Sequence, residues 1–259
     1  MALMITTQLI NIVKDCRELF LEGYHADKNV KYKGTVDLVT EYDVAVEKRL
    51  TKSLKKAFPD FTVVGEESTK EIIHPKKAIY VDPIDGTTNF VHELPFCAIS
   101  VGIWEDGKPV AGVVYNPVLD ECFSAELGCG AFLNGERIYV SKQTDFQQSL
   151  IATGFPYTKV EKGRDYEWVL STMAKILPVT RDIRRLGAAS IDLCYVACGK
   201  FEAYYECNLK PWDVAAGILI VQEAGGKISN ENGDKYNLDD HIIACSNTVV
   251  HGDLLQHIV

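Results

Sequence analysis

Val81-Asp82-Pro83-Ile84-Asp85-Gly86-Thr87-Thr88-Asn89-Phe90 closes an apolar run that begins at Ala78 and sets two carboxylates three residues apart across a proline. Ala78-Ile79-Tyr80-Val81 reads as a buried strand. Gly86 permits a tight turn, and Thr87-Thr88 are residues that favour a helix start. Asp82 and Asp85 then sit at the end of a strand beside exposed backbone N–H groups, where a hard cation and a phosphate can be held together. A solitary Asp-x-x-Asp is equally a capped turn, so the rest of the chain has to decide.

Upstream, Leu9, Ile12, Val13, Cys16, Leu19 and Phe20 recur at helical spacing, which predicts an amphipathic helix over about 4–23. A second helix is expected from about Asp43 to Phe58, ended by Pro59. Around the decisive segment, 61–141 reads as β-rich: runs at 62–64, 78–81, 98–104, 110–115 and 121–125, with Asp106-Gly107 as a hairpin signal. The second half alternates, with helices expected at about 164–176, 189–198, 212–224 and 247–257 and strands near 180–184, 203–206 and 242–245. No Pro/Ser-rich linker or repeat interrupts the chain, so one unit over 1–259 with sub-layers of about 1–145 and 146–259 is expected, in the α+β or α/β class.

Other acidic residues join the pair at the ends of predicted elements. Val64-Gly65-Glu66-Glu67-Ser68 puts two glutamates just past a strand, and Pro211-Trp212-Asp213 opens a helix. Taken singly, these are an acidic loop and a residue favoured in a helix's first turn. Together Glu66, Asp82, Asp85 and Asp213 form an oxygen-only donor set, which suits Mg²⁺ or Mn²⁺ rather than zinc.

Composition narrows the function classes. The net charge of −9 with scattered lysines argues against nucleic-acid binding, and an anionic substrate would need a local cation to receive it. No stretch approaches the roughly 18 apolar residues of a membrane span. Met1-Ala2-Leu3-Met4-Ile5 has no basic lead of a signal peptide, so a cytoplasmic location is expected. The eight cysteines contain no Cys-x-x-Cys pair and lie mostly among apolar residues, as buried thiols in a reducing compartment do. Cys194 and Cys198 share a helix face but have no second ligand pair nearby.

On these motifs the chain resembles the inositol monophosphatase family, part of a larger group of lithium-sensitive, magnesium-dependent phosphatases. The family's Gly-Glu-Glu-Ser stands as Gly65 to Ser68, its Asp-Pro-Ile-Asp-Gly-Thr as Asp82 to Thr87, and its Trp-Asp-x-Ala-Ala-Gly as Trp212 to Gly217. Its Asp-Leu-Val-Thr-x-x-Asp stands as Asp37 to Asp43.

The resemblance implies an α-β-α-β-α layered fold, a homodimer, and hydrolysis of myo-inositol monophosphate or a related small phosphorylated alcohol with two to three Mg²⁺ ions, Mn²⁺ being a possible substitute. By the same resemblance Glu66, Asp82 and the Ile84 carbonyl hold the first ion, and Asp82, Asp85 and Asp213 the second. A third, weaker ion is held by Glu66 through waters. Glu67, Asp43 and Thr87 correspond to the residues that orient the attacking water, and Lys33 to one on a mobile loop over the metals. Gly86 and Thr87 offer backbone N–H groups to phosphate, while Gly187, Ala188, Ala189 and Glu206 line the alcohol side. Lys210 stands where animal members carry histidine, which makes the chain similar to bacterial members and leaves the alcohol open.

The alternatives keep the chemistry and change the substrate to fructose 1,6-bisphosphate, histidinol phosphate or 3′-phosphoadenosine 5′-phosphate. Arg181, Arg184 and Arg185 are the candidate cluster for a second phosphate. An alternative of another class is an added binding role in the bacterial transcription machinery. An aspartyl-phosphate route through Asp82 is disfavoured, because a carboxylate bridging two ions has its lone pairs occupied.

Overall fold

The computed structural model describes residues 4–28, 30–32 and 38–259. In chain order the elements are α1 (Met4–Lys14), α2 (Arg17–His25), β1 (Lys31–Tyr32), β2 (Leu38–Val39), α3 (Glu41–Ala57), β3 (Thr62–Gly65), β4 (Lys77–Asp85) and α4 (Thr87–Val91). There follow β5 (Ala98–Glu105), β6 (Lys108–Asn116), β7 (Glu121–Glu126), β8 (Gly130–Leu133), β9 (Glu136–Ile138) and β10 (Leu150–Thr153). The last third holds α5 (Arg164–Ile176), β11 (Asp182–Arg184), α6 (Ala189–Ala197), β12 (Ala203–Cys207), α7 (Pro211–Glu223), β13 (Lys227–Ser229), β14 (Ile242–Ser246) and α8 (His251–Ile258).

Seven strands, β3 to β9, pair in chain order, antiparallel except for the parallel β3–β4 pair. A second sheet has the order β11-β10-β12-β14-β13, parallel across its first three strands and antiparallel across the rest. Along β4, Ile79 and Val81 face a core shared with Leu9, Val13 and Phe20 of α1–α2 and Val46, Leu50 and Leu54 of α3. Ala78 and Tyr80 face the opposite core, shared with α6 and α7. The smaller sheet covers the far side of α6–α7 through Tyr204, Ile243 and Cys245. On its outer face Tyr205 and Ala244 meet Ile176 of α5 and Leu254 and Ile258 of α8. Five layers result, α-β-α-β-α, as the motifs implied. Past its first turn α7 is apolar on every side, Val214 to Val221 being wholly buried, because a sheet lies on each face.

Two glycines seat α7. Gly102 of β5 and Gly112 of β6 are register partners. A Cβ on Gly102 would stand 2.7 Å from the backbone carbon of Ala215, and one on Gly112 2.9 Å from the Ala216 carbonyl oxygen. The small pair Ala215-Ala216 therefore rests directly on the strands, and Trp104 Nε1 donates to the Ala215 carbonyl at 3.1 Å. This contact fixes how far Asp213, at the start of α7, stands from β4. Gly102→Ala should accordingly destabilise the protein by about 1–3 kcal/mol, the usual cost of overpacking. Urea unfolding measures it, and a loss under about 0.5 kcal/mol would mean that α7 moves freely on the sheet.

Several expectations need correction. The helix expected over about 4–23 is two, because at Cys16 the N–H turns to Val13 O at 3.1 Å before helical bonding resumes with Phe20 N to Cys16 O at 2.9 Å. Helix α8 starts four residues later than expected, since the Ser246 hydroxyl and the Asn247 side chain accept from the N–H groups of Thr248 and Val250. The strands β8, β9, β10 and β13 had not been singled out. The Asp106-Gly107 hairpin is present, both residues in the left-handed region at φ 49° and 70°.

Candidate functional site

In a regular strand, residues three apart face opposite sides, so Asp82 and Asp85 should diverge. They do not, because β4 is bulged between them. Asp82 pairs with Ser100 and Asp85 with Ala98, three steps on β4 against two on β5. The extra residue restores the side that Asp85 faces, and Pro83, which has no N–H to give to the ladder, sits inside this irregularity. Gly86 follows at φ +85°. A Cβ there would stand 2.7 Å from the Phe96 carbonyl oxygen and 3.2 Å from Gly187 O, so the turn packs directly against the loop that leads into α6.

The carboxylates converge on one cleft of about 260 Å³. Glu66, Asp82, Ile84, Asp85, Gly86, Thr87, Gly187, Ala188, Ala189, Glu206, Lys210 and Asp213 all line it, so twelve residues chosen from separate stretches meet. Neighbouring residues of the chain anchor each aspartate. Asp82 Oδ1 accepts from Ile84 N at 3.1 Å, Asp85 Oδ2 from Ser190 N at 2.7 Å and Ser190 Oγ at 2.5 Å, and Asp213 Oδ2 from Lys210 N at 2.7 Å. Asp43 and Glu67 stand behind this lining. Asp43 Oδ2 accepts from Thr40 N and Oγ1 at 2.7 and 2.6 Å, capping α3, while its Oδ1 accepts from Thr87 Oγ1 at 3.2 Å. The same Thr87 hydroxyl lies 3.1 Å from the Ile84 carbonyl oxygen. Lys33 and Asp37 lie outside the described residues.

Burial and mutual repulsion act together on these acids. Burial, then the charges of Glu66, Asp85 and Asp213, raise Asp82 well above the usual carboxylate range. Asp213 is also raised well above it, by burial and Glu66. Asp85 is raised by burial, against the opposing pull of its bonds from Ser190 and of Arg185. Asp43 is raised by burial alone, against its hydrogen bonds from Thr40 and Thr87. Crowded acids of this kind, with no imidazole or thiolate among them, fit hard divalent cations, whose charge removes the repulsion.

The cleft also has basic lining residues. Lys159 and Arg185 line it, and the sequence had indicated only the second. Arg181 instead bonds the Gln148 side chain and Arg184 pairs with Asp182 at 2.6 Å, so the expected arginine cluster reduces to Arg185, held over the Phe155 ring at 5.2 Å. Glu206, buried against Gly154, is pushed up to about 7 by its burial, opposed by the Tyr204 hydroxyl that donates to it at 2.6 Å. Lys210 Nζ donates to Asn208 Oδ1 at 3.2 Å. Two supporting residues had also been missed. Ser190 anchors Asp85, and Glu47 accepts from Glu67 N at 2.7 Å and packs against Gly65, holding the Glu66-Glu67 turn. Asp43 and Glu47, an acidic i, i+4 pair on the buried face of α3, were the signal for the second.

The model for the "Inositol monophosphatase family" matches residues 3–259. "Inositol monophosphatase 2" of Solanum lycopersicum is 41% identical over 247 residues, 92% of this chain and 91% of that protein. The "Nus factor SuhB" of Pasteurella multocida is 36% identical over 93% of this chain and 91% of its own. The crystal structure of extragenic suppressor protein suhB from Bartonella henselae superposes with a TM-score of 0.90, at 35% identity, over 97% of each chain. Agreement in fold and in sequence along nearly the whole length leaves one conclusion: the chain belongs to the inositol monophosphatase family, whose members are metal-dependent phosphomonoesterases.

Proposed function

We propose that the chain is a magnesium-dependent phosphatase that hydrolyses myo-inositol monophosphate, or a related small sugar or polyol phosphate, by direct attack of water. The observation that carries this reading is the meeting of Glu66, Asp82, Asp85 and Asp213 in one cleft beside the Thr87–Asp43 pair. Glu66, Asp82 and the Ile84 carbonyl would hold one ion and Asp82, Asp85 and Asp213 a second, with a third near Glu66. Bound there, divalent ions supply the positive charge that neutralises the phosphate and the charge developing on the entering and leaving oxygens.

The chain's own residues do the positioning. The Thr87 hydroxyl already donates its hydrogen bond to Asp43 or to the Ile84 carbonyl, so its lone pairs are left to accept a hydrogen bond from water and aim that water at phosphorus. Glu67 shares this role, and Lys33, which lies outside the described residues, is assigned to it by the family resemblance alone. The backbone N–H groups of Gly86 and Thr87 face the phosphate oxygens, and Gly187, Ala188, Ala189, Glu206 and Lys210 face the alcohol. A bond from the water oxygen to phosphorus forms as the bond from phosphorus to the alcohol oxygen breaks, and the proton that the water loses is balanced by the one that the alcohol oxygen takes up. Thr87→Ala should lower kcat by at least about tenfold with little change in KM, because the hydroxyl acts on the water rather than on the bound substrate. Steady-state kinetics decides it, and a loss confined to KM would recast Thr87 as a phosphate ligand.

A second reading of the substrate rests on Lys159 and Arg185. Neither side chain has an ion pair among the described residues, and burial together with the Arg185 charge lowers Lys159 from its ordinary value. Two cations in the cleft, with the Glu206 carboxyl as their acidic neighbour, favour a substrate with a second anionic group, such as fructose 1,6-bisphosphate or 3′-phosphoadenosine 5′-phosphate. Histidinol phosphate, which brings a cation, is disfavoured. A phosphate-release panel over these compounds tests the choice. Lys159→Ala should cost the preferred bisphosphate about tenfold or more in kcat/KM, the worth of a charged hydrogen bond, and inositol phosphate little. Equal losses would assign Lys159 to the scaffold.

The reading extends to a homodimer in the cytoplasm, with 1–259 as one catalytic unit, and to inhibition by lithium at the second ion site. All eight cysteines are free, which supports a reducing compartment. No helix among the described residues is long and apolar enough to cross a membrane. A role in transcription, supported by the name of the Pasteurella relative, would be additional. Capture of transcription proteins that survives loss of Asp82 would establish it.

A further inference from the structure

Where the Cys207 stretch of the cleft wall meets the start of α5, three side chains of different chemistry come together. Asp165 lies in the first turn of α5, Cys207 is the last residue of β12, and His241 immediately precedes β14. β12 and β14 are antiparallel neighbours with Cys207 opposite Ile242, so the pairing register itself brings the thiol beside His241. The main chains are tied at the same point by Asn208 N donating to His241 O at 2.7 Å. A carboxylate oxygen, an imidazole nitrogen and the thiol sulfur, one from each residue, all lie within 4.8 Å of one another.

We propose that Asp165, Cys207 and His241 form a binding site for a single zinc-class divalent ion, separate from the magnesium carboxylates. The donor set is the reason. Thiolate, imidazole and carboxylate are ligands that zinc accepts together and that magnesium does not favour. A tetrahedral zinc spaces its ligand atoms roughly 3.2–3.8 Å apart, so small side-chain rotations suffice. His241 Nε2 and Asp165 Oδ1 now share a hydrogen bond at 2.8 Å, and the ion would take the place of that shared proton, which moves to Nδ1 if the ring is neutral or to solvent if it is charged, so that the ligand is a neutral imidazole. The thiol also gives its proton to solvent on binding, and the charge that leaves on sulfur is neutralised by the ion.

The surroundings orient the ligands as outer partners of metal sites do. Asp165 Oδ2 accepts from Thr158 Oγ1 at 2.8 Å and from Asn208 Nδ2 at 3.4 Å, which fixes the carboxylate plane. Cys207 is buried while His241 is 43% exposed, so the site opens to solvent on the histidine side and keeps a fourth position for water. Occupancy would tie the start of α5 to the Asn208–Lys210 segment. That segment leads into Asp213 through the bond from Lys210 N, so the zinc-class ion would brace one wall of the cleft.

Cobalt is the probe, because a thiolate ligand produces a near-ultraviolet charge-transfer band that an all-oxygen site cannot. The full chain in saturating Mg²⁺ should develop this band with one Co²⁺ per molecule and lose it when equimolar Zn²⁺ is added. Cys207→Ser should abolish the band and His241→Ala should weaken it severalfold. Cys129→Ser, Cys198→Ser and Asp82→Asn should leave it intact, the last showing that the magnesium centre is not its source. Circular dichroism checks folding. Should Cys207→Ser fail to fold, His241→Ala decides alone. A wild type without the band, a band that survives Cys207→Ser in the folded protein, or full intensity in His241→Ala overturns the proposal.

Discussion

Asp82→Asn is expected to reduce phosphate release by more than about a hundredfold, while the metal-free protein becomes more stable than the wild type. The first effect follows from the place of Asp82 among Glu66, Asp85 and Asp213, since it is the carboxylate proposed to touch two ions. Loss of an outer partner of a metal ligand already costs about 10–100-fold, so loss of charge on a direct, shared ligand should exceed that. The second effect has the opposite sign. Without metal, burial and three neighbouring acids press against the Asp82 charge, and an amide of the same shape removes the repulsion. Steady-state rates and thermal melts in chelator measure the two on one preparation. Retention of more than about a tenth of the rate, or a lower melting temperature in chelator, would contradict the bridging role.

The stability gained from Mg²⁺ should grow as pH rises. Asp82, Asp85, Asp213 and Asp43 are all raised in the folded, metal-free chain, and Glu206 is raised to about 7. The folded state therefore keeps protons that the unfolded chain releases. Its stability is fully present below the ordinary carboxylate range, near about 4, and is lost as pH rises through the folded values. The Glu206 share goes between its ordinary range and about 7. Bound Mg²⁺ reverses this for the cluster, because it needs the ionised form. Between about pH 5 and about pH 8, the melting temperature in chelator should fall while the gain on adding Mg²⁺ rises, to roughly 5–10 °C at a hundredfold excess over Kd. A gain that shrinks with pH would mean that the ions bind elsewhere.

The parts of the site that were legible in the sequence lie at the ends of apolar runs. Asp82, Asp85, Glu66 and Asp213 each follow or open a segment whose periodicity is plain, so their clustering at element ends could be read without coordinates. Their common facing could not. It depends on the bulge at Pro83, and a bulge leaves only a proline and a parity mismatch in the sequence. Ser190 acts through two hydrogen bonds to Asp85, 105 positions away, and Glu47 through one from Glu67, 20 positions away, which no local pattern marks. Lys159 was hidden for a different reason. It sits in the short 3₁₀ turn Tyr157–Glu161, which has no periodicity, and only the packing of that turn brings its charge to the cleft. The missed strands β10 and β13 are three or four residues long, too short for alternation to register. The break at Cys16 escaped notice because the apolar stripe runs through it unbroken to the same core.

The most direct test is phosphate release from myo-inositol 1-phosphate by the purified chain, in Mg²⁺, after chelation, and after Mg²⁺ is restored. Turnover should be present, fall to background in chelator and return in full, with Asp82→Asn silent throughout. Release that continues undiminished in chelator, or that Asp82→Asn supports as well as wild type, would contradict the assignment of the four carboxylates as the catalytic centre.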